Sequence, residues 1–200
     1  MKQLTHLSLF SGVGGLDLAA HWAGFETVGF CEFADYPHDI LAKRFPDVPI
    51  WRDIRTLTGG DFYERTGRRT VDVVSGGFPC QPFSVAGKRK GKDDDRYLWP
   101  EMCRVIAELR PSWVVGENVA GLLSMVEPVG EPKLVSATPT LETGAEIRVY
   151  DQMECYTLGG ILQDVENLGY AVRLFVFPAC GVGANHRRDR IAIVAHANRK

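Results

Sequence analysis

The chain lacks most of what would place it outside the ordinary soluble globular proteins. No CxxC pair occurs, and the five cysteines (Cys31, Cys80, Cys103, Cys155 and Cys180) are scattered and odd in number. That pattern indicates neither a zinc site nor a disulfide framework. Uncharged apolar runs fall far short of the ~18 residues of a membrane span. The amino terminus, MKQLTHLSLFSG, has one lysine and no long apolar core before a small-residue cleavage site, so no signal peptide is legible. There is no internal repeat. An excess of basic charge is also missing: 23 Lys and Arg against 25 Asp and Glu give a net charge of −2. A dedicated nucleic-acid-binding domain is usually basic, so composition by itself argues mildly against such a partner. What remains is a chain of 200 residues, 45% hydrophobic and 24% charged. This is one domain's worth of sequence, long enough to bury a core without staples, with the profile of a reduced, cytoplasmic protein.

Short β-rich runs alternate with helical stretches. Strands are expected at 7–10, 27–31, 71–75, 113–116, 170–177 and 191–195, with a further short strand ahead of Asp53. Helices are expected at 16–22, 34–44, 97–109 and 158–168. Such alternation predicts an α/β fold with a mostly parallel sheet covered on both faces. The last two strands have no helix-length segment between them and are expected to be antiparallel. Residues 128–150 carry Pro128, Gly130, Pro132, Pro139 and Gly144 with little periodicity, and are expected to be a loop insertion.

Four segments carry chemistry, three at the ends of expected strands and one just before the last strand. Phe10-Ser11-Gly12-Val13-Gly14-Gly15-Leu16 follows the first strand and opens a helix, as a turn that lets a ligand approach the main chain closely. Asp17 stands where a dinucleotide fingerprint would have its third glycine. Glu32 ends the second strand and Asp53 follows the third, where acids accept hydrogen bonds from a ribose or an adenine amino group. The set points to an adenosine-containing cofactor. Gly76-Gly77-Phe78-Pro79-Cys80-Gln81-Pro82-Phe83-Ser84 poses a cysteine between two prolines, the placement of a nucleophile rather than of a buried hydrophobe. Gly116-Glu117-Asn118-Val119 supplies a candidate acid that can protonate or hydrogen-bond a substrate ring. In His186-Arg187-Arg188-Asp189-Arg190 the alternation by two would put Arg188 and Arg190 on one face, suited to an anionic or carbonyl-bearing substrate. Two basic clusters, Lys88 to Arg96 and His186 to Arg190, offset the neutral total.

In this order, the segments resemble the DNA cytosine-5 methyltransferase family. FSGVGG looks like its cofactor loop, GGFPCQPFS its nucleophile loop, ENV its glutamate motif and HRRDR its QxRxR motif, with His186 in place of the usual glutamine. The resemblance implies a Rossmann-like, S-adenosylmethionine-dependent methyltransferase fold and double-stranded DNA as the partner. It implies that Cys80 adds to cytosine C6, that Glu117 engages N3 and the exocyclic amine, and that Arg188 and Arg190 hold the carbonyl and brace the site. The target base would be flipped out of the duplex, with Lys88 to Arg96 in a loop closing over it. For S-adenosyl-L-methionine the matching positions are Phe10, Ser11, Gly12, Gly14, Gly15, Leu16, Glu32, Phe33, Asp53, Ile54 and Pro79. The expectation is thus a catalytic and cofactor-binding domain over 1–200 without the family's target-recognition region, in a prokaryotic or phage modification setting. The other expectations are a non-catalytic remnant, one subunit of a split enzyme partnered by a separate target-recognition polypeptide, or the same chemistry on tRNA cytosine.

Overall fold

The computed structural model describes residues 3–79, 98–139 and 146–198. Along the chain these form β1 (Leu4–Leu9), α1 (Gly15–Trp22), β2 (Phe25–Cys31), α2 (Asp35–Arg44), β3 (Ile50–Trp51), α3 (Gly59–Thr66) and β4 (Val73–Gly76). There follow α4 (Trp99–Leu109), β5 (Trp113–Val119), β6 (Val126–Pro139), β7 (Glu146–Tyr156), α5 (Thr157–Asn167), β8 (Tyr170–Phe177) and β9 (Arg190–Ala197). Seven strands make one sheet in the order β3-β2-β1-β4-β5-β9-β8, and β6 and β7 pair only with each other. The pairs β1–β2, β1–β4, β2–β3 and β4–β5 are parallel, whereas β9 runs antiparallel to both of its neighbours. This is the α/β architecture expected of the sequence, including the antiparallel final pair.

Burial explains the order. Val73, Val74, Ser75 and Gly76 are all buried, as are Thr5 to Leu9 in β1, so these strands are covered on both faces and must be central. Helix α4 turns Trp99, Met102, Val105, Ile106 and Leu109 inward, and α5 does the same with Leu158, Ile161 and Val165. Each such side chain contributes roughly 1.5–3 kcal/mol by leaving water. Trp99 Nε1 donates to Asp164 Oδ2 at 2.9 Å, tying the two helices together.

Two local expectations change, and one helix is added to those expected. Helix α3 starts on Gly59-Gly60; Thr58 caps it by accepting from Asp61 N–H and Gly67 closes it in a left-handed conformation. Its single buried side chain, Phe62, stacks on Trp51 at 5.9 Å. The segment expected as a loop over 128–150 is instead largely a two-stranded ribbon, in register from Val126↔Tyr156 to Pro139↔Glu146. Gly130 and Pro132 fall within the register shift at 129/133, whereas Pro128 and Pro139 pair with Glu154 and Glu146; Gly144 lies outside the described residues. Arg188 precedes β9, at φ 32°, so strand alternation does not place it on the face of Arg190.

Candidate active site

The strand registers put one row of residues across the sheet: Trp51, Cys31, Leu9, Gly76, Gly116 and Ile193 are successive neighbours. In a parallel sheet with this order, ligands sit beyond the carboxyl ends of the strands. One or two residues past the row stand Asp53, Glu32, Phe10, Gly77 and Glu117. Strand β9 enters from the opposite direction, so Arg190, paired with Val119, arrives at the same end. Neighbouring strands are ~4.8 Å apart, which spreads Glu32 and Glu117 over about 14 Å of one sheet edge.

On the β1–β2 side the loop after Leu9 leaves the strand through Phe10 at φ 53° and Gly12 at φ 55°. The left-handed region costs a side chain about 1–2 kcal/mol, accepted at Phe10 and avoided at Gly12. A Cβ on Gly12 would meet nothing within 4 Å, so the loop leaves open space above its backbone. Ser11 holds the loop down: its N–H donates to the Cys31 carbonyl at 3.1 Å and its hydroxyl to the Ser8 carbonyl at 3.1 Å. The buried Glu32 carboxylate accepts from Gly12 N–H at 2.7 Å and Ala34 N–H at 2.8 Å, one bond per oxygen, leaving a lone pair on each. Beside it Phe33 is 77% exposed, and its carbonyl faces Arg52 Nη1 at 3.4 Å. Asp53 accepts from Arg55 N–H at 2.9 Å and so starts the short helical turn Ile54–Thr56, in which Ile54 is buried. An open glycine loop, a carboxylate with acceptor capacity and an exposed aromatic ring suit an adenosyl group bearing a ribose diol.

On the β4–β5 side the geometry is tighter. Arg190 Nε donates to Glu117 Oε1 at 2.8 Å, and Arg190 Nη1 donates to the Asp189 carbonyl at 3.1 Å. Glu117 Oε2 lies 3.1 Å from where a Cβ on Gly77 would stand, so an added methyl group would displace that carboxylate by a few tenths of an ångström. The buried Asn118, on the next residue, donates from Nδ2 to the Phe78 carbonyl at 3.0 Å. Phe78 is itself buried, its ring tilted against Trp99 at 4.9 Å. The stem Gly76–Pro79 is thereby fixed to the strand that carries Glu117. Asn118 stands inside the ENV motif without a role assigned to it by the sequence; an amide buried at a strand end was the signal.

Cys80 and the basic stretch Lys88–Arg96 lie outside the described residues. Of the other cysteines, burial pushes the Cys31 and Cys103 thiols up to about 12, which disfavours the thiolate at either. Arg188 is exposed on the segment before β9, and Arg187 is paired with Asp189 at 2.9 Å. Gly15 and Leu16 open α1, and Pro79 ends the described stem. Among the described residues, no group of three His, Cys, Asp or Glu is placed to hold a metal ion, and no helix is long and apolar enough to cross a membrane.

Comparison with known proteins matches residues 4–130 to the C-5 cytosine-specific DNA methylase family. The chain is 41% identical over 196 residues to the type II methyltransferase M.AquIA of Picosynechococcus sp., covering 95% of this chain and 71% of that protein. It is 32% identical over 195 residues to the type II methyltransferase M1.HphI of Haemophilus parahaemolyticus, covering 96% of this chain and 45% of that protein. A crystal structure assigned as a DNA modification methyltransferase encoded within an E. coli prophage superposes with TM-score 0.70 at 24% identity, over 98% of this chain and 47% of that one. The chain therefore spans under half the length of M1.HphI and of this structural neighbour.

Proposed function

The chain belongs to the C-5 cytosine-specific DNA methylase family, and from that premise we propose that it carries the methyl-transfer centre of a type II DNA modification enzyme. Its substrate would be a cytosine in double-stranded DNA within a bacterial cytoplasm, and its methyl donor S-adenosylmethionine. The observation that carries the reading is the Glu117–Arg190 pair closed over Gly77. A carboxylate held at 2.8 Å by an arginine stands there, three residues from a cysteine between two prolines.

Cytosine C5 is a weak nucleophile. The Cys80 thiolate adds to C6, forming a C–S bond and leaving C5 with enamine-like electron density. Glu117 meets N3 and the exocyclic amine of the ring and offsets the charge that develops as sulfur attacks. Arg190 fixes the Glu117 carboxylate, while Arg188 and Arg190 supply donors for the ring carbonyl. Asn118 positions the loop stem through the Phe78 carbonyl. When bound, S-adenosylmethionine supplies the methyl group as an electrophile. Glu32 would accept from the ribose hydroxyls, Phe33, Asp53 and Ile54 would border the adenine, and the loop from Phe10 through Gly12, Gly14 and Gly15 to Leu16 would hold the methionine portion. Once C5 is methylated, a base takes its proton and the C6–S bond breaks, returning the thiolate and an aromatic ring. Because C6 is inaccessible within a duplex, the base must be extruded first.

The test is covalent trapping. The chain is mixed with S-adenosylmethionine and mixed-sequence duplexes carrying 5-fluorocytosine, whose C5 fluorine blocks the final elimination. A denaturing gel should show a protein–DNA adduct that disappears in Cys80→Ser. An adduct that persists in Cys80→Ser overturns the assignment of the nucleophile, and absence of any adduct overturns the catalytic reading of this chain.

A further inference from the structure

Helix α1 has an inverted burial pattern. In Gly15-Leu16-Asp17-Leu18-Ala19-Ala20-His21-Trp22 the buried residue is the acid Asp17, while Leu18 is 41% and Trp22 77% exposed. Strand β1 supplies two side chains that stand against Asp17, Ser8 and His6. Ser8 of β1 donates from its hydroxyl to Asp17 Oδ2 at 3.0 Å. His6 of β1, fully buried, shares hydrogen bonds with Thr27 of β2 at 2.9 Å and with Ser75 of β4 at 2.7 Å. Its Nδ1 stands 3.7 Å from Asp17 Oδ1, outside hydrogen-bonding reach, and that Oδ1 makes no hydrogen bond. The Asp17 side chain is 2% exposed. Leu41 of α2 faces the adjoining Gly14, so His6 is the one titratable group turned toward Asp17 from the elements around it.

Such a site is costly. An incompletely paired carboxylate in a sheet–helix interface is destabilising, and an apolar residue or an amide would fill the place better. Its position indicates what it is for. Asp17 Oδ2 would lie 3.8 Å from a Cβ on Gly14, and Ser8, which holds Asp17 with its hydroxyl, receives the Ser11 hydroxyl at its carbonyl. The carboxylate is thus mounted directly beneath the glycine loop and mechanically joined to it. Resting on the cofactor assignment above, we propose that Asp17 is a specificity-determining residue that favours the cationic sulfonium of S-adenosylmethionine over the neutral thioether left after methyl transfer. A buried negative charge under the loop lowers the energy of a positive charge on it and does nothing for a neutral sulfur, so Asp17 shifts the balance of affinities toward the cationic ligand. The remaining ionisable groups of the two ligands, an amine and a carboxylate, are the same and cancel in the comparison.

Titration gives the inference a second handle. Burial pushes the Asp17 carboxyl up to about 6, in spite of the Ser8 hydroxyl, its own amide and the nearby Thr27 hydroxyl. Burial lowers His6 to about 4, so the charge of the cluster between pH 5 and 8 is that of Asp17 alone. Above pH 6 the carboxylate is ionised and the discrimination is present; below it the discrimination fades.

Equilibrium binding to the whole chain, by calorimetry or dialysis without DNA, tests this with three ligands: S-adenosylmethionine, S-adenosylhomocysteine and sinefungin, which carries an ammonium in place of the sulfonium. Asp17→Asn should weaken the two cationic ligands by the same factor, about three- to tenfold, and leave S-adenosylhomocysteine unchanged. An equal loss for all three, or no loss for the cationic pair, overturns the proposal and leaves Asp17 a purely structural anchor. Should the variant fail to fold, the unaltered chain decides. Its ratio of S-adenosylmethionine to S-adenosylhomocysteine affinity must fall between pH 7.5 and pH 5, and a flat ratio overturns the proposal. Failure of all three ligands to bind would instead overturn the cofactor assignment.

Discussion

At the scale of single residues, the proposed site at the sheet edge depends on very small volumes. Gly77 is the sharpest case, because the space a methyl group would occupy is bordered by Glu117 Oε2 at 3.1 Å. Elsewhere a flexible carboxylate would swing aside, but here the other oxygen is held by Arg190 at 2.8 Å. Gly77→Ala is therefore expected to slow adduct formation with 5-fluorocytosine DNA by roughly tenfold or more through misplacement of the acid. Its stability should stay within about 1 kcal/mol of the parent, since the strain is relieved at the surface of the cleft. Stopped-time gels and a thermal melt separate the two effects, and a large loss of stability with an unchanged trapping rate would contradict the account. The motif residues themselves were legible from the chain, because a cysteine between prolines, an acid at a strand end and a glycine turn each carry a local meaning. The contact between Gly77 and Glu117 was not, since it joins positions 77 and 117 across two strands.

At the scale of elements, the instructive cases are those in which local pattern and tertiary context disagree. Strands β1, β4, β8 and β9 and helices α4 and α5 were readable from apolar runs and spacing. Helix α3 was hidden by its glycine pair and is retained by one buried ring, Phe62, against Trp51. The ribbon β6–β7 was hidden because its pairing joins residues 30 positions apart, from Val126 to Tyr156. An isolated two-stranded ribbon is marginal in water, and this one pairs with no strand of the main sheet. Its two ends close on each other: Thr157 N–H donates to the Met125 carbonyl at 3.0 Å. Replacing residues 126–156 by a short glycine linker should therefore leave the main sheet intact. The shortened chain should unfold in a single cooperative transition within a few degrees of the parent melting temperature. A broad or multistep melt would show that the ribbon supports α5 or β5.

At the scale of the molecule, the buried cluster beneath α1 couples β1, β2, β4 and that helix to pH. The two titrations act in opposite directions. Asp17 has a raised value in the folded state, about 6 against 3.8, so its contribution is fully present below pH 3.8 and is lost as pH rises through 6. His6 has a lowered value, about 4 against 6.5, so its contribution is present above pH 6.5 and is lost as pH falls toward 4. Between pH 4 and 6 they offset each other, and the unaltered chain should show a nearly flat stability there. Asp17→Asn removes one arm. It should stabilise the chain at pH 8 by about 1–3 kcal/mol and lose that advantage below pH 4, as urea titrations at the two pH values would register. A stability cost at working pH agrees with the role proposed for a charge set beneath the glycine loop.

The division between sequence and structure follows from the range of the forces involved. Alternating strands and helices, the antiparallel last pair, the four motifs and the family they resemble were all determined by neighbours in the chain, because hydrophobic period, turn chemistry and spacing are local. Tertiary structure decided what those residues meet. It lined up Leu9, Cys31, Gly76 and Gly116 in one row, so that motifs far apart in sequence open on a single edge. It brought Arg190 to Glu117 by reversing β9, and moved Arg188 off the strand. It also turned an acidic residue of an apolar helix inward while leaving Trp22 outside. No periodicity announces that inversion, because what holds Asp17 in place is a serine of β1 and the long-range packing that surrounds it.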